Sequence, residues 1–113
     1  MHELSIATSL VETAVRSAEQ AGACSVTRLH LRLGALAGVE PESLEFCFPV
    51  VAKGTICEGA ELRLEIVPAR GCCAGCGGRS EVRDLLAPCP ACGGWPLSVE
   101  GGREMELDSL EVT

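Results

Sequence analysis

Four cysteines in two matched pairs are the residues of this chain most suited to chemistry. Cys73-Ala74-Gly75-Cys76 and Cys89-Pro90-Ala91-Cys92 each hold two thiols two residues apart, twelve residues separate the pairs, and a glycine follows each, Gly77 and Gly93. Two intervening residues let both sulfurs face one ion from a tight turn. The glycine can take the backbone angles that such a turn needs. Two turns of this kind supply the four thiolates of a tetrahedral zinc site. With four protein ligands the site is closed, so the zinc is read as structural rather than hydrolytic. Cys72 could replace Cys73 at a longer spacing to Cys76, but the match between the two pairs favours Cys73. A redox reading would want one Cys-x-x-Cys at a strand-to-helix junction, not two in a glycine-rich stretch. The remaining thiols, Cys24, Cys47 and Cys57, are scattered. Cys47, between Phe46 and Phe48, reads as a small core residue.

The opening Met1-His2-Glu3 is the second chemical feature. A second residue as bulky as His normally leaves Met1 in place, so the free amine would stand beside the imidazole of His2. Amine, deprotonated backbone amide and imidazole can close fused chelate rings around one ion. That nitrogen-rich, near-planar donor set suits Ni(II) or Cu(II) better than zinc. His30 is the other histidine. It alternates with leucines that face inward, so it is expected on an outer surface with no ligand role. Glu3 and Glu40 read as solvated charges, and acids in Glu40-Pro41-Glu42 complement the dipole of a helix start.

The elements that must position these groups follow from periodicity. Leu4 to Ala21 carries apolar residues at Leu4, Ile6, Ala7, Leu10, Val11, Ala14, Val15 and Ala18, the spacing of one helical face, and Gly22 ends it. Val26 to Leu33 reads as a strand, cleanest over Leu29 to Leu33. Gly34 and Gly38 punctuate a loop. A second helix begins near Pro41, runs through Leu44, Phe48 and Val51, and is closed by Gly54. Glu61 to Val67 alternates as a second strand. At Pro68 the composition changes to Cys, Gly, Pro and short polar pieces up to Gly94, a stretch with almost no core of its own that needs a staple. Met105 to Val112 reads as a last strand, with its alternation slipping between Leu107 and Leu110, so a bulge is expected near Asp108-Ser109. The reading is an α+β fold. A small three-stranded sheet with two helices spans residues 1–68 and is completed by a C-terminal strand, 103–113. A four-cysteine zinc-ribbon or knuckle lobe, 69–99, is inserted before that strand.

Composition narrows the function. The 113-residue chain is 47% hydrophobic, which marks a globular protein. Its formal charge is −7 and its aromatic content 3%, without tyrosine. Four zinc-bound thiolates would take the charge to about −9. Such a chain repels phosphate backbones and has little to stack on bases, which argues against nucleic acid as partner. The same charge suits a handler of cations or a protein that docks on a basic partner. No stretch is long and apolar enough to span a membrane, and no basic segment leads into an apolar run as a signal peptide would. A cytoplasmic location is expected, where clustered cysteines bind metal more often than they form disulfides. With no Ser-His-Asp arrangement, phosphate loop or open metal site, the chain reads as a carrier and not an enzyme. The alternative is a zinc-ribbon module for protein interaction or nucleic-acid binding.

Three features together resemble the HypA/HybF family: the opening Met1-His2-Glu3 on a helix, the segment Gly34-Ala35-Leu36-Ala37-Gly38-Val39-Glu40-Pro41-Glu42-Ser43-Leu44, and the late pair of Cys-x-x-Cys turns. The resemblance covers the whole chain. It implies a nickel metallochaperone of nickel–iron hydrogenase maturation, with Ni(II) as cargo and Zn(II) as a structural ion. His2 is then the nickel ligand, helped by the Met1 amine and the amides of His2 and Glu3. Glu3 and Glu40 match acidic positions that support the nickel site, and Cys73, Cys76, Cys89 and Cys92 fall on the zinc ligands. The implied partners are the HypB GTPase and the hydrogenase large subunit, with urease maturation proteins in some members, and the implied state is a monomer or weak homodimer.

Overall fold

The structure, a computed structural model, describes residues 3–82 and 88–113. Met1 and His2, expected to carry the nickel donors, lie outside the described residues. The elements in chain order are α1 (Glu3–Gln20), β1 (Val26–Gly34), α2 (Pro41–Ala52), β2 (Glu61–Val67), β3 (Ala69–Cys72), β4 (Arg79–Val82), β5 (Ser98–Glu100) and β6 (Met105–Val112). They form two three-stranded sheets, ordered β2-β1-β6 and β4-β3-β5. The described residues divide into two compact units. The first comprises the described residues up to Leu31 together with Val39–Glu65 and Glu106–Thr113, and the second comprises Arg32–Gly38 and Ile66–Met105. No helix among the described residues is long and apolar enough to cross a membrane.

In the first unit α1 buries Ala7, Leu10, Val11, Ala14 and Ala18, the spacing of a single helical face. These meet Val26, Leu29 and Leu31 of β1, Leu44, Phe48 and Ala52 of α2, and Cys57 in one cluster. α1 ends where Gly22 turns to φ +73°. The Ala23 N–H then reaches back to the Ala18 carbonyl at 2.9 Å and satisfies an orphan acceptor of the last turn. α2 starts on Pro41 and also contains Pro49, whose missing N–H falls on the exposed side. Gly54 at φ +81° follows it, and the Glu58 carboxylate accepts the Gly54 N–H at 2.7 Å.

The expected break in β6 alternation is present: Leu107 and Leu110, three apart, both pack on the core. β1 carries a matching break, because Val26 and Leu29 are also three apart and both buried. The opposite, outer face of this sheet is charged. Arg28 donates to Glu61 at 3.1 Å and to Glu111 at 2.9 Å, and Glu61 also meets Arg63.

The second unit holds more regular structure than its composition suggests. β3 pairs antiparallel with β4 (Ala69 with Val82, Cys72 with Arg79) and with β5 (Gly71 with Val99). Ala69, Gly71 and Val82 are buried. Gly71 has a steric role here, since a Cβ on it would lie 2.5 Å from Val82 Cγ2 and 2.9 Å from Leu97 Cδ1. The stretch after β1 is stitched into this unit by backbone bonds, Ala35 N–H to Val67 carbonyl at 2.8 Å and Leu36 N–H to Gly102 carbonyl at 2.6 Å.

Candidate metal centre

Each cysteine pair sits on a tight turn, and the two turns repeat the same bonds. The Gly77 N–H donates to the Cys73 carbonyl at 2.8 Å, and the Cys73 N–H donates to the Gly78 carbonyl at 2.9 Å. In the second turn Gly93 bonds to Cys89 and Cys89 to Gly94, each at 2.8 Å. Gly77 and Gly93 adopt φ +72° and +75°, the left-handed region that glycine enters without penalty. One turn leaves β3 and returns on β4, so the small sheet fixes where the first pair points.

The four sulfurs converge. Those of Cys73, Cys76, Cys89 and Cys92 all lie within 4.8 Å of one another. Cys73 to Cys92 is 3.5 Å and Cys76 to Cys89 is 3.7 Å. A tetrahedral zinc with Zn–S of about 2.3 Å requires sulfurs about 3.8 Å apart. The donor set therefore fits zinc in both chemistry and spacing. Each pair contributes one buried cysteine, Cys73 and Cys89, and one exposed, Cys76 and Cys92. Cys72 is not in the group; it is a strand residue paired with Arg79 and Ser98.

The electrostatics call for a cation. The Cys89 thiol is drawn down to about 7, first by the Cys92 N–H and then by that of Ala91. The Cys76 N–H likewise lowers Cys73, with the Cys92 sulfur and the Gly75 N–H adding to it. Cys92 is pushed up to about 12: the Gly94 N–H favours its thiolate, but the sulfurs of Cys73, Cys76 and Cys89 around it outweigh that bond. Four thiolates this close cannot all hold negative charge unless a positive ion sits among them.

The second glycine of each turn also matters, which the reading of the sequence did not include. A Cβ on Gly94 would sit 3.2 Å from the sulfurs of both Cys73 and Cys92, and one on Gly78 would sit 3.2 Å from that of Cys76. The repeated Cys-Gly-Gly, at Cys76-Gly77-Gly78 and Cys92-Gly93-Gly94, is the signal that carries this.

Among the other singled-out residues, Glu3 and Glu40 are brought together across 37 positions, the Glu3 carboxylate accepting the Glu40 N–H at 3.2 Å. His30 faces the outer side of its strand, where its Nε2 lies 2.7 Å from Glu111, and it is not part of the four-cysteine group. Cys57 is fully buried, and burial pushes its thiol up against a weaker opposing bond from Thr55. Cys47, expected in the core from its flanking phenylalanines, is only half-buried against it, because Phe48 is buried while Phe46 is exposed.

A family model described as "Hydrogenase/urease nickel incorporation, metallochaperone, hypA" matches residues 1–112. The chain belongs to the HypA family. Among its relatives, the hydrogenase maturation factor HypA of Chlorobaculum tepidum is 46% identical over 112 residues, 99% of each chain. HypA of Synechococcus elongatus is 47% identical over 113 residues, again 99% of each chain. The solution structure of the Ni metallochaperone HypA from Helicobacter pylori shares the fold, with a TM-score of 0.68 at 23% identity, covering 99% of this chain and 97% of that one. HypA proteins are hydrogenase maturation factors and nickel metallochaperones, so nickel is cargo, and the four-cysteine centre described above fits a structural zinc.

Proposed function

We propose that this chain binds one Ni(II) ion at its N-terminus and delivers it during maturation of nickel–iron hydrogenase, and that Zn(II) held by Cys73, Cys76, Cys89 and Cys92 shapes the second unit. The nickel donors are the Met1 amine, the His2 imidazole and the backbone amides of His2 and Glu3. The carboxylates of Glu3 and Glu40 support the site. The observation that carries this reading is the opening Met1-His2-Glu3, which stands inside a whole-chain match to a nickel-incorporation family. The bond between Glu3 and Glu40 supports it further, because it holds the backbone of Glu40 against the Glu3 carboxylate beside the start of α1.

The chemistry is ligand exchange rather than catalysis. Even with four protein nitrogens, a planar chelate at a chain end leaves its two faces open, so an incoming ligand can enter there and displace the donors stepwise, and the ion passes without ever being free. The zinc centre cannot do this, since its four positions are filled by protein. On this reading the nickel-binding domain is 1–68 with 103–113, and the zinc domain is 69–99. The partners are the HypB GTPase and the hydrogenase large subunit, with urease maturation proteins as a further destination. The working state is a cytoplasmic monomer or weak homodimer. The test is nickel titration of the zinc-loaded protein and its His2→Ala variant. The variant should lose nickel and keep its zinc; retained nickel binding would end the proposal.

A further inference from the structure

The first turn of α1 and the first half of α2 enclose a groove that adjoins the proposed nickel chelate at Glu3 and extends away from it along α2. Glu3, Leu4, Glu42, Ser43, Phe46 and Cys47 line its volume of about 540 Å³. Its apolar walls are unusually open: Phe46 is 79% exposed and Leu4 54%. Along α2 the apolar surface continues through exposed Pro49 to Val50, 66% exposed, at the i, i+3, i+4 spacing of one helical stripe. Exposed large apolar side chains gathered in one place and rimmed by polar groups mark an interaction surface. The groove is lined by two acids, Glu3 and Glu42, and Glu45 is a further exposed acid on α2 next to Phe46 in sequence.

We infer that this groove docks a segment of the nickel acceptor that presents aliphatic or aromatic anchors flanked by lysine or arginine. The inference rests on the nickel-carrying terminus proposed above. Two properties of the site select this occupant. The acidic lining favours a basic segment and repels a second copy of a chain whose own charge is −7, or an anionic lipid surface. Glu3 lines the groove and directly follows His2 in sequence. A segment anchored on Phe46 and Leu4 would therefore bring its own ligands beside the chelate, which converts transfer into a local exchange with a raised effective concentration. Cys47 supplies a polarizable wall to the groove and is not needed as a ligand.

The experiment uses the full, zinc-loaded chain with isotope-labelled backbone amides. One probe is a synthetic helical peptide with leucines at i and i+4 flanked by lysines, extended by a histidine-containing chelating tail. The other keeps the leucines and tail but replaces the lysines by glutamates. The lysine peptide should shift the amides of Glu3, Leu4, Glu42, Phe46 and Cys47 saturably, and the glutamate peptide should not. Phe46→Ser, at an exposed position, should weaken peptide binding tenfold or more and slow nickel transfer to the tail by a similar factor, while nickel affinity stays unchanged. Glu42→Lys with Glu45→Lys should weaken the lysine peptide and strengthen the glutamate one. Shifts elsewhere, equal binding of both peptides, dilution-dependent shifts without peptide, or Phe46-dependent binding to phosphatidylglycerol vesicles would each overturn the inference. Absence of nickel binding by the native chain would instead count against the chelate, because the peptide shifts are read without nickel.

Discussion

The carboxylate of Glu3 accepts the backbone N–H of Glu40 at 3.2 Å, so the first turn of α1 is tied to the residue that precedes α2. Glu40 has no side-chain cap bond of its own at that helix start, and the donation of its N–H to Glu3 gives this end of the chain a fixed neighbour. The bond gives Glu3 a role as strut that can be separated from the one proposed for it beside nickel. Glu3→Gln retains an acceptor and should keep the strut, while Glu3→Ala removes it and should lower stability measurably. Denaturant midpoints of the three proteins measure this. Equal stability of native and Ala forms would show that the bond fixes nothing.

Zinc removal should dismantle the second unit and spare the first. Trp95 is the single tryptophan, exposed, and follows the second cysteine turn. Its emission should therefore change on chelation or in Cys89→Ser, while helical circular dichroism from α1 and α2 stays close to native. Cys72→Ser should keep one zinc per chain, because Cys72 lies outside the sulfur cluster. Loss of zinc in the Cys72 variant would contradict the assignment of Cys73.

The two turns should respond alike to loss of their glycines. Ala in place of Gly77 or Gly93 must hold a left-handed backbone, which costs about 1–2 kcal/mol. Chelator competition should show zinc affinity reduced in both by comparable factors. A variant with native affinity would mean that its turn forms differently.

Acid should weaken the outer face of the first sheet. His30 first, and then Arg28, hold the Glu111 carboxylate below its usual value of 4.5. A depressed folded value means that the stabilisation is complete above the unfolded value and is lost as pH falls through the folded one. Between pH 5 and 3 the native protein should therefore lose thermal stability more steeply than Glu111→Gln, with the two lines converging at the acid end. Parallel lines would show that the cluster contributes nothing to folding, the ordinary fate of an exposed ion pair.

Much of this architecture was legible in the residues, for reasons that differ by element. α1, α2, β1, β2 and β6 are long enough for apolar periodicity to declare itself, and Gly22 and Gly54 mark the helix ends. β3, β4 and β5 are three or four residues long and contain Arg, Gly, Cys and Ser, so no pattern could announce them. They exist because the cysteine turns return the chain alongside itself and because Ala69, Gly71 and Val82 leave room for close packing. The sulfur cluster was readable from spacing alone, since a Cys-x-x-Cys turn is a local geometry. The contact between Glu3 and Glu40 was not, because it depends on how α1 meets the loop before α2. The groove beside Phe46 was hidden for the same reason: an exposed phenylalanine cannot be told from a buried one by its neighbours Cys47 and Phe48.

The free amine of Met1 is the most exacting requirement of the nickel site proposed here. The direct measurement is a competition titration of Ni(II) into the native protein and into the same protein acetylated at its N-terminus, with zinc content determined in both. Acetylation removes one nitrogen donor and should weaken nickel binding by more than about tenfold, or about 1.4 kcal/mol, with one zinc per chain retained. An acetylated protein that binds one nickel ion with native affinity would contradict the chelate and place the ligands elsewhere.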